Sequence, residues 1–428
     1  MQIKTKEGEG DFEGILLPRN EYSSPDYIEI KLKNNYNIGI NASNVIELAK
    51  KGKKEAHYKI PEKKIPKNKD LPNLILLGTG GTVASRLDYT TGAVIPSFTP
   101  GELFSAVPEL AEICNLETEI VFELLSENMR PEYWQQLAEK VEKAANSGID
   151  GVVIGHGTDT MGFTGAALTF MLSDLSVPVV LVGSQRSSDR PSSDAALNLI
   201  NAVTVATSDI AEVVVCMLGS SAHDYGLIHR GTLVRKMHSS VRHTFRTTDD
   251  IPLGMIQDRK IKMFKQDYRK RAKTETKAIT NFEKKTALIY SYPGMNNEII
   301  DFYTDKGYKG IVIAGTGLGH VSTEIYNSIE RALQEEITIL MTVQTLHGFT
   351  GMNVYSTGRE LINMGVIPGH NLLPETGYIK LGWVLGQTSE PIQIKKLLLE
   401  NIAGEFIDRE IPIAFNYNID QLLKDKKL

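Results

Sequence analysis

Cysteine is nearly absent from this chain: Cys114 and Cys216 are the only two in 428 residues. That scarcity argues against a disulfide scaffold and against a zinc site built from cysteines. No apolar run reaches the roughly 18 residues of a membrane span. The stretch from Met1 to Phe12 is charged and lacks the apolar centre of a signal peptide, so a cytoplasmic location is expected. A positive balance is missing as well. The 47 Lys/Arg against 52 Asp/Glu give a net charge of −5, which argues against a protein held to nucleic acid by neutralising phosphates. Repeats and low-complexity tracts are not evident. What is present is ordinary for a globular chain, 41% hydrophobic and 23% charged residues, with length for about three domains.

The charge is unevenly spread. Residues 1–70 carry 14 Lys/Arg and 11 Asp/Glu, net +3, leaving a net −8 on the rest. Two stretches are basic. Residues 50–69 hold nine lysines together with Pro61 and Pro66, and residues 258–285 hold 11 Lys/Arg against four acids. Each reads as a solvated linker or exposed connector, or as a contact surface for RNA or a protein partner. They divide the chain into a module with a basic linker at 1–70, a larger part at 71–270 and a smaller one at 280–428.

The hydrophobic period identifies the elements. Tyr27-Ile28-Glu29-Ile30-Lys31-Leu32 alternates as a half-buried strand does. Further short strands at 12–17 and 36–40 with tight turns predict a small, SH3-like β-barrel. From residue 71 the pattern changes to buried apolar runs (74–77, 151–154, 177–182 and 213–218). Helical patterns at 131–145, 166–175 and 195–206 alternate with them. That order predicts an α/β body with a parallel sheet covered on both faces. Runs at 287–290, 310–314 and 337–341 repeat the theme in a second, smaller α/β part.

In open α/β sheets, ligands sit at the carboxyl ends of strands, and four polar clusters fall at such places. Gly78-Thr79-Gly80-Gly81-Thr82-Val83-Ala84-Ser85 follows a strand. It is neither a dinucleotide fingerprint nor a P-loop. It reads as a hydroxyl presented among glycines, or as a tight turn capped by threonine. Gly155-His156-Gly157-Thr158-Asp159-Thr160-Met161 follows another. Here Thr158 and Asp159 read as a hydroxyl–carboxylate pair, or as a cap and a favourable charge at a helix start. His156 reads as structural. In the third cluster, Lys236 lies in an apolar-flanked extended segment, where a lysine can lose hydration and accept a proton, or it is a surface lysine. Ser126-Glu127-Asn128, after a strand at 119–125, could hold a polar ligand. There is no Gly-x-Ser-x-Gly elbow and no His-Glu-x-x-His, which leaves threonine with a lysine and an aspartate.

Thr79-Gly80-Gly81-Thr82-Val83-Ala84 with His156-Gly157-Thr158-Asp159-Thr160-Met161 resembles the paired signatures of the asparaginase/glutaminase family of amidohydrolases. The resemblance spans about residues 73–400. Phe12-Glu13-Gly14 and Tyr36-Asn37-Ile38-Gly39-Ile40 are similar to the N-terminal β-barrel module of the family's tRNA-dependent amidotransferase branch. It implies a two-domain asparaginase-like body after a small β-barrel. It implies that Thr82 is a nucleophile, accompanied by Tyr89 on a lid, and that Lys236, held by Asp159, polarises Thr158 or a water. Ser126 and Glu127 would grip the α-amino and α-carboxylate groups of the substrate, while Gly81, Thr82 and Thr158 offer backbone donors to an oxyanion.

The resemblance further implies glutamine hydrolysis. The ammonia would pass to a partner, the amidotransferase's E subunit, which uses ATP and Mg²⁺ to amidate Glu-tRNA(Gln). The chain would need no cofactor or metal of its own, would form a homodimer inside an α2β2 complex, and would meet the tRNA mainly through the partner. Two departures stand out. Glu127 replaces the Gln or Ser usual in free asparaginases, and His320 stands where many bacterial members place an asparagine that reaches a neighbouring protomer. A free L-asparaginase and a non-catalytic interaction protein of the same fold are the rival readings.

Overall fold

The alternating N-terminal segments form five antiparallel strands: β1 (Gln2–Thr5), β2 (Asp11–Leu16), β3 (Tyr27–Leu32), β4 (Asn37–Asn41) and β5 (Val45–Ala49). Their order is β4-β3-β2-β1-β5, and Ile3, Ile30 and Ile40 form a small core on one face. The expected small β module is thus an antiparallel β domain; among the described residues its end strands β4 and β5 do not pair with each other. This computed structural model describes residues 1–6, 10–17, 24–34, 36–52, 67–80, 85–87, 94–96, 103–104, 106–188 and 192–424. Most of the first basic stretch lies outside them.

The body is an eight-stranded sheet. Its strands are β6 (Asn73–Gly78), β9 (Asn115–Ile120), β10 (Gly151–Gly155), β12 (Val179–Val182), β13 (Val213–Leu218), β14 (Gly226–Arg230), β17 (Gly254–Gln257) and β18 (Lys260–Met263), in the order β18-β17-β14-β13-β12-β10-β6-β9. The strands from β9 to β13 are parallel, as expected from their continuous apolar runs. The other three are antiparallel. The link 219–225 is too short for the crossover that a parallel neighbour of β13 would need. Short hairpins complete the part: β7 (Ser85–Leu87) with β8 (Val94–Pro96), β11 (Leu172–Ser173) with β19 (Lys277–Ala278), and β15 (Val234–Lys236) with β16 (Phe245–Thr247).

Helix α1 (Pro131–Ala145) opens with proline in its first turn, where the missing N–H costs nothing. It buries Trp134, Leu137, Ala138, Val141, Ala144 and Ala145, the face its sequence predicts. Helix α2 (Met161–Met171) begins five residues before the predicted 166. Its first turns are hard to read because Gly162 and Gly165 carry no side chain. Both allow a close approach: a Cβ at Gly162 would lie 3.0 Å from Val234 O, and one at Gly165 3.1 Å from Gly231 O, each a tight contact. Helix α3 (Ala195–Ala206) matches its predicted limits.

The second part is a four-stranded parallel sheet of β20 (Thr286–Tyr290), β21 (Gly310–Gly315), β22 (Thr338–Val343) and β23 (Ile367–Pro368). Helices α4 (Glu298–Asp305), α5 (Tyr326–Gln334) and α6 (Ser356–Met364) accompany it, followed by α7 (Pro374–Gln387), α8 (Pro391–Leu399) and α9 (Ile419–Lys424). One hydrophobic cluster spans both α/β parts, and the second part has a further core of its own. Helix α7 lies at the seam: Tyr378 packs on Phe163 and Phe282, Trp383 stacks on Phe170, and the Trp383 Nε1–H donates to Ile279 O. On its buried side Lys380 pairs with Glu405 at 2.6 Å.

The stretch 258–285 is a largely exposed connector, pinned to the body at several points. Lys260 and Lys262 point outward from the edge strand β18, where lysine discourages strand-to-strand aggregation. Arg271 donates to Ser208 O and Ala206 O at the end of α3. Lys265 pairs with Asp250. Among the described residues no helix is long and apolar enough to cross a membrane.

Candidate active site

Strands β6 and β10 lie side by side in register, Gly78 opposite Gly155. Their carboxyl ends therefore deliver the two glycine–threonine segments to one place. Thr79 donates both its N–H (3.1 Å) and its hydroxyl (2.9 Å) to Gly155 O. That hydroxyl is thus committed to joining the two turns. Gly80 follows with φ +101°, and a Cβ there would sit 2.3 Å from Leu124 O. Only glycine fits that backbone. The chain then runs into residues 81–84. Gly81 and Thr82 lie outside the described residues, as does Tyr89.

Lys236 Nζ donates to Thr158 Oγ1 at 2.9 Å and to Asp159 Oδ1 at 2.7 Å. The lysine side chain is 14% exposed and Asp159 is 67% exposed. Lys236 is thus no ordinary surface lysine, although 77 residues separate it from Asp159. Thr158 is not the helix cap either. Thr160 holds that position, and its hydroxyl donates to Ser126 O at 2.7 Å. That bond holds the buried Ser126 against the start of α2, while Glu127 beside it faces solvent. The strand before this turn ends at Ile120 rather than 125, because the backbone leaves the sheet to follow the Thr79–Gly80 turn: Val121 N–H reaches Gly78 O, and Leu124 N–H reaches Thr79 O.

The packing here is close. A Cβ on Gly157 would lie 2.7 Å from Ser126 Cβ, and one on Gly183 would lie 2.8 Å from both His156 O and Thr158 Cγ2. Gly183 escaped the sequence reading because its constraint comes from atoms more than 20 residues away. Its neighbours are fixed by Asp194, which is buried and accepts from Gln185 N, Arg186 N and Asn198 Nδ2. Next to Lys236, Arg235 pairs with Glu375 in the first turn of α7 at 3.0 Å, tying β15 to the second α/β part. A cavity of about 300 Å³ borders Asp159, Phe163, Lys236, His238 and Glu375. A larger one, about 780 Å³, lies at the amino end of β13, away from this cluster, and is lined by paired charges such as Arg230 with Glu212.

His156 is structural, as its sequence setting suggests. Its Nδ1–H donates to Gly157 O (2.6 Å), its Nε2 accepts from Thr164 Oγ1 (2.9 Å), and Trp134 Nε1 donates to Thr164 Oγ1 (3.0 Å). This is the tautomer that satisfies every group in the chain. Burial pushes His156 down to about 4, and it pushes His229 down to about 3. Imidazoles held neutral in the fold protonate only on unfolding, so the unfolded chain binds more protons below about pH 6.5. Stability is therefore expected to fall as pH drops from about 6.5 toward 4, by up to about 1.4 kcal/mol per pH unit for each group. Denaturant midpoints at pH 7 and pH 5 check this, and His156→Gln should flatten the slope. The two thiols are buried and free, and burial pushes each up to about 12, which removes them as nucleophiles.

A parallel α/β sheet with a threonine–lysine–aspartate contact at its carboxyl ends defines a protein of the asparaginase type. Three family profiles match: "Asparaginase, N-terminal" over residues 73–269, "Glutaminase/Asparaginase C-terminal domain" over 285–398 and "GatD N-terminal domain" over 2–49. The D subunit of glutamyl-tRNA(Gln) amidotransferase from Pyrococcus furiosus is 52% identical, covering 96% of this chain and 95% of that one. That of Methanopyrus kandleri is 47% identical over 92% and 88%. The thermostable L-asparaginase from Thermococcus kodakarensis superposes with a TM-score of 0.70 at 29% identity, covering 78% of this chain and 99% of its own. A probable cytoplasmic L-asparaginase from Campylobacter jejuni gives 0.65 at 29% identity, over 77% and 99%. This chain belongs to the asparaginase/glutaminase family, in the group of glutamyl-tRNA(Gln) amidotransferase D subunits.

Proposed function

We propose that this chain is the glutaminase component of a tRNA-dependent amidotransferase. It would hydrolyse glutamine to glutamate and ammonia for the conversion of Glu-tRNA(Gln) to Gln-tRNA(Gln). The observation that carries the chemistry is the Lys236 amine in contact with both Thr158 and Asp159, beside the strand end that leads into Thr82. In this reading the Thr82 hydroxyl attacks the side-chain amide carbon, the C–N bond breaks as the nitrogen takes up a proton and leaves as ammonia, and a water then hydrolyses the acyl-threonine to glutamate and restores Thr82. Tyr89 closes over it. Lys236, oriented by Asp159, takes a proton from Thr158 or from a water held there. Backbone N–H groups of Gly81, Thr82 and Thr158 receive the developing oxyanion, each donor worth about 2.7–4 kcal/mol in the barrier. Ser126 and Glu127 engage the α-amino and α-carboxylate ends of the substrate.

The N-terminal domain supports the amidotransferase role over a free amidohydrolase. Both L-asparaginases are spanned almost completely by about four-fifths of this chain, and the D-subunit relatives by nearly all of it. A partner, the E subunit, would use ATP and Mg²⁺ and carry the tRNA, in keeping with the acidic charge of this chain. Two copies would form the core of an α2β2 complex in the cytoplasm. The test is glutaminase and asparaginase activity of the purified chain, with and without the co-purified partner and Glu-tRNA(Gln). Glutamine hydrolysis stimulated by partner and tRNA is expected. Brisk asparagine hydrolysis by the chain alone would make it a free asparaginase, and no amidase activity under any condition would make it a non-catalytic interaction protein.

A further inference from the structure

Away from the strand ends, three side chains from distant segments converge. Asp249 follows β16, His347 follows β22, and Glu410 comes from the segment after α8. His347 Nδ1 lies 3.6 Å from Asp249 Oδ1 and 3.6 Å from Glu410 Oε1, and one ligand atom of each residue lies within 4.8 Å of the others. Asp249 is 2% exposed and Glu410 31%. Among the described residues, neither carboxylate has a lysine or arginine within ion-pair distance. Lys265, which pairs with Asp250 next in the chain to Asp249, is engaged there. Two carboxyl groups thus face the acceptor nitrogen of a single imidazole.

The donor set and spacing specify a ligand. Four-coordinate zinc takes imidazole nitrogen and carboxylate oxygen at about 2.0–2.2 Å, which places ligand atoms about 3.4 Å apart. The two 3.6 Å separations from His347 need to close by a few tenths of an ångström, and the carboxylates, within 4.8 Å of each other, have to draw together around the ion. Calcium and magnesium favour sites made of more numerous oxygen ligands, so the imidazole selects against them. The His347 ring is already oriented: Phe415 packs edge-on at 5.3 Å. Its Nδ1 faces the cluster as an acceptor, taking a long 3.2 Å bond from Asp249 N–H that an ion would replace. Gly348 N–H holds Asp249 Oδ1 at 2.7 Å, the outer support that metal-binding carboxylates generally have. A cavity of about 330 Å³, lined by His347, Glu410, Ile411, Pro412 and Phe415, opens on the fourth side.

We propose that Asp249, His347 and Glu410 bind a divalent transition cation of the zinc class, which fastens the C-terminal segment to the joint between the two α/β parts. The site is separate from the proposed amidase centre, although Asp249 lies two residues beyond Thr247, which pairs with Val234 on the strand of Lys236.

The test uses tag-free, full-length protein stripped with a chelator, then titrated with Zn²⁺ by calorimetry and with Co²⁺ by visible absorption. A single stoichiometric site with the intense absorption of four-coordinate Co²⁺ is expected. His347→Ala and Glu410→Gln should each weaken Zn²⁺ binding by at least about 10-fold, and the Zn²⁺-induced rise in melting temperature should disappear in Glu410→Gln. Glu410 is partly exposed, so its variant folds whether or not the proposal holds. No cobalt band, or Zn²⁺ binding unchanged in both variants, would overturn it.

Discussion

Lys236→Met is expected to lower kcat for amide hydrolysis by about 10³-fold, within the range that a positioned proton acceptor contributes. Methionine keeps the unbranched stem of the side chain and removes the amine alone. Thr158 then loses its 2.9 Å contact and Asp159 its 2.7 Å contact. Asp159 is mostly exposed, so its abandoned carboxylate rehydrates and the fold bears little of the loss. The expected signature is a collapse of kcat with an unchanged melting temperature. Ammonia-dependent amidation by the assembled complex should survive, since it bypasses this site. A fall in kcat of less than about 10-fold would remove Lys236 from the proton path.

The second large effect is on stability. Lys380 and Glu405 are both fully buried, 2.6 Å apart, at the seam of the two α/β parts. The lysine also donates to Glu400 O and sits over the Phe406 ring, 4.2 Å from its centre. Its burial lowers its proton affinity, which the Glu405 carboxylate partly restores. Removing one partner strands the other charge without water, at a cost of about 3–5 kcal/mol. The two losses should differ. Glu405 accepts from Ile402 N–H and Ala403 N–H as well, so Lys380→Met leaves a carboxylate with partners. Glu405→Gln leaves an ammonium with neutral oxygens and a ring but no counter-charge, and should cost more. The double variant Lys380→Met/Glu405→Leu should be more stable than either single change, since a buried ion pair replaced as a unit is often neutral. Melting temperatures of the four proteins decide it; additive losses would show that the pair is not coupled.

Much of this arrangement was legible in the sequence because it is local. Apolar runs that stop at glycine marked β6 and β10, and the residues directly after them had to emerge at the carboxyl ends of neighbouring strands. The apolar face of α1 was readable for the same reason: its period is a property of 15 consecutive residues. Contacts across the chain left no such trace. Nothing near Arg235 announces Glu375, and nothing near Asp249 announces His347 or Glu410. Gly162 and Gly165 obscured the start of α2 because their purpose, letting a helix approach β15 and Gly231, is known only once both are in place. The three antiparallel strands at the edge of the body were missed because short, isolated runs carry no sign of direction.

The placement of the chain's two tryptophans has an optical consequence. Trp134 begins the hydrogen-bond chain through Thr164 and His156 to Gly157, one residue from Thr158, whereas Trp383 is stacked on Phe170 at the seam. The ultraviolet emission of the protein therefore divides between two regions that do different things. With Trp134→Phe, fluorescence follows only whether the two α/β parts stay joined. With Trp383→Phe, it follows Trp134, which senses the neighbourhood of Thr158 through that hydrogen-bond chain and the seam through the Phe282 ring 5.9 Å away, so a change seen only in this variant is assigned to the amine-bearing cluster.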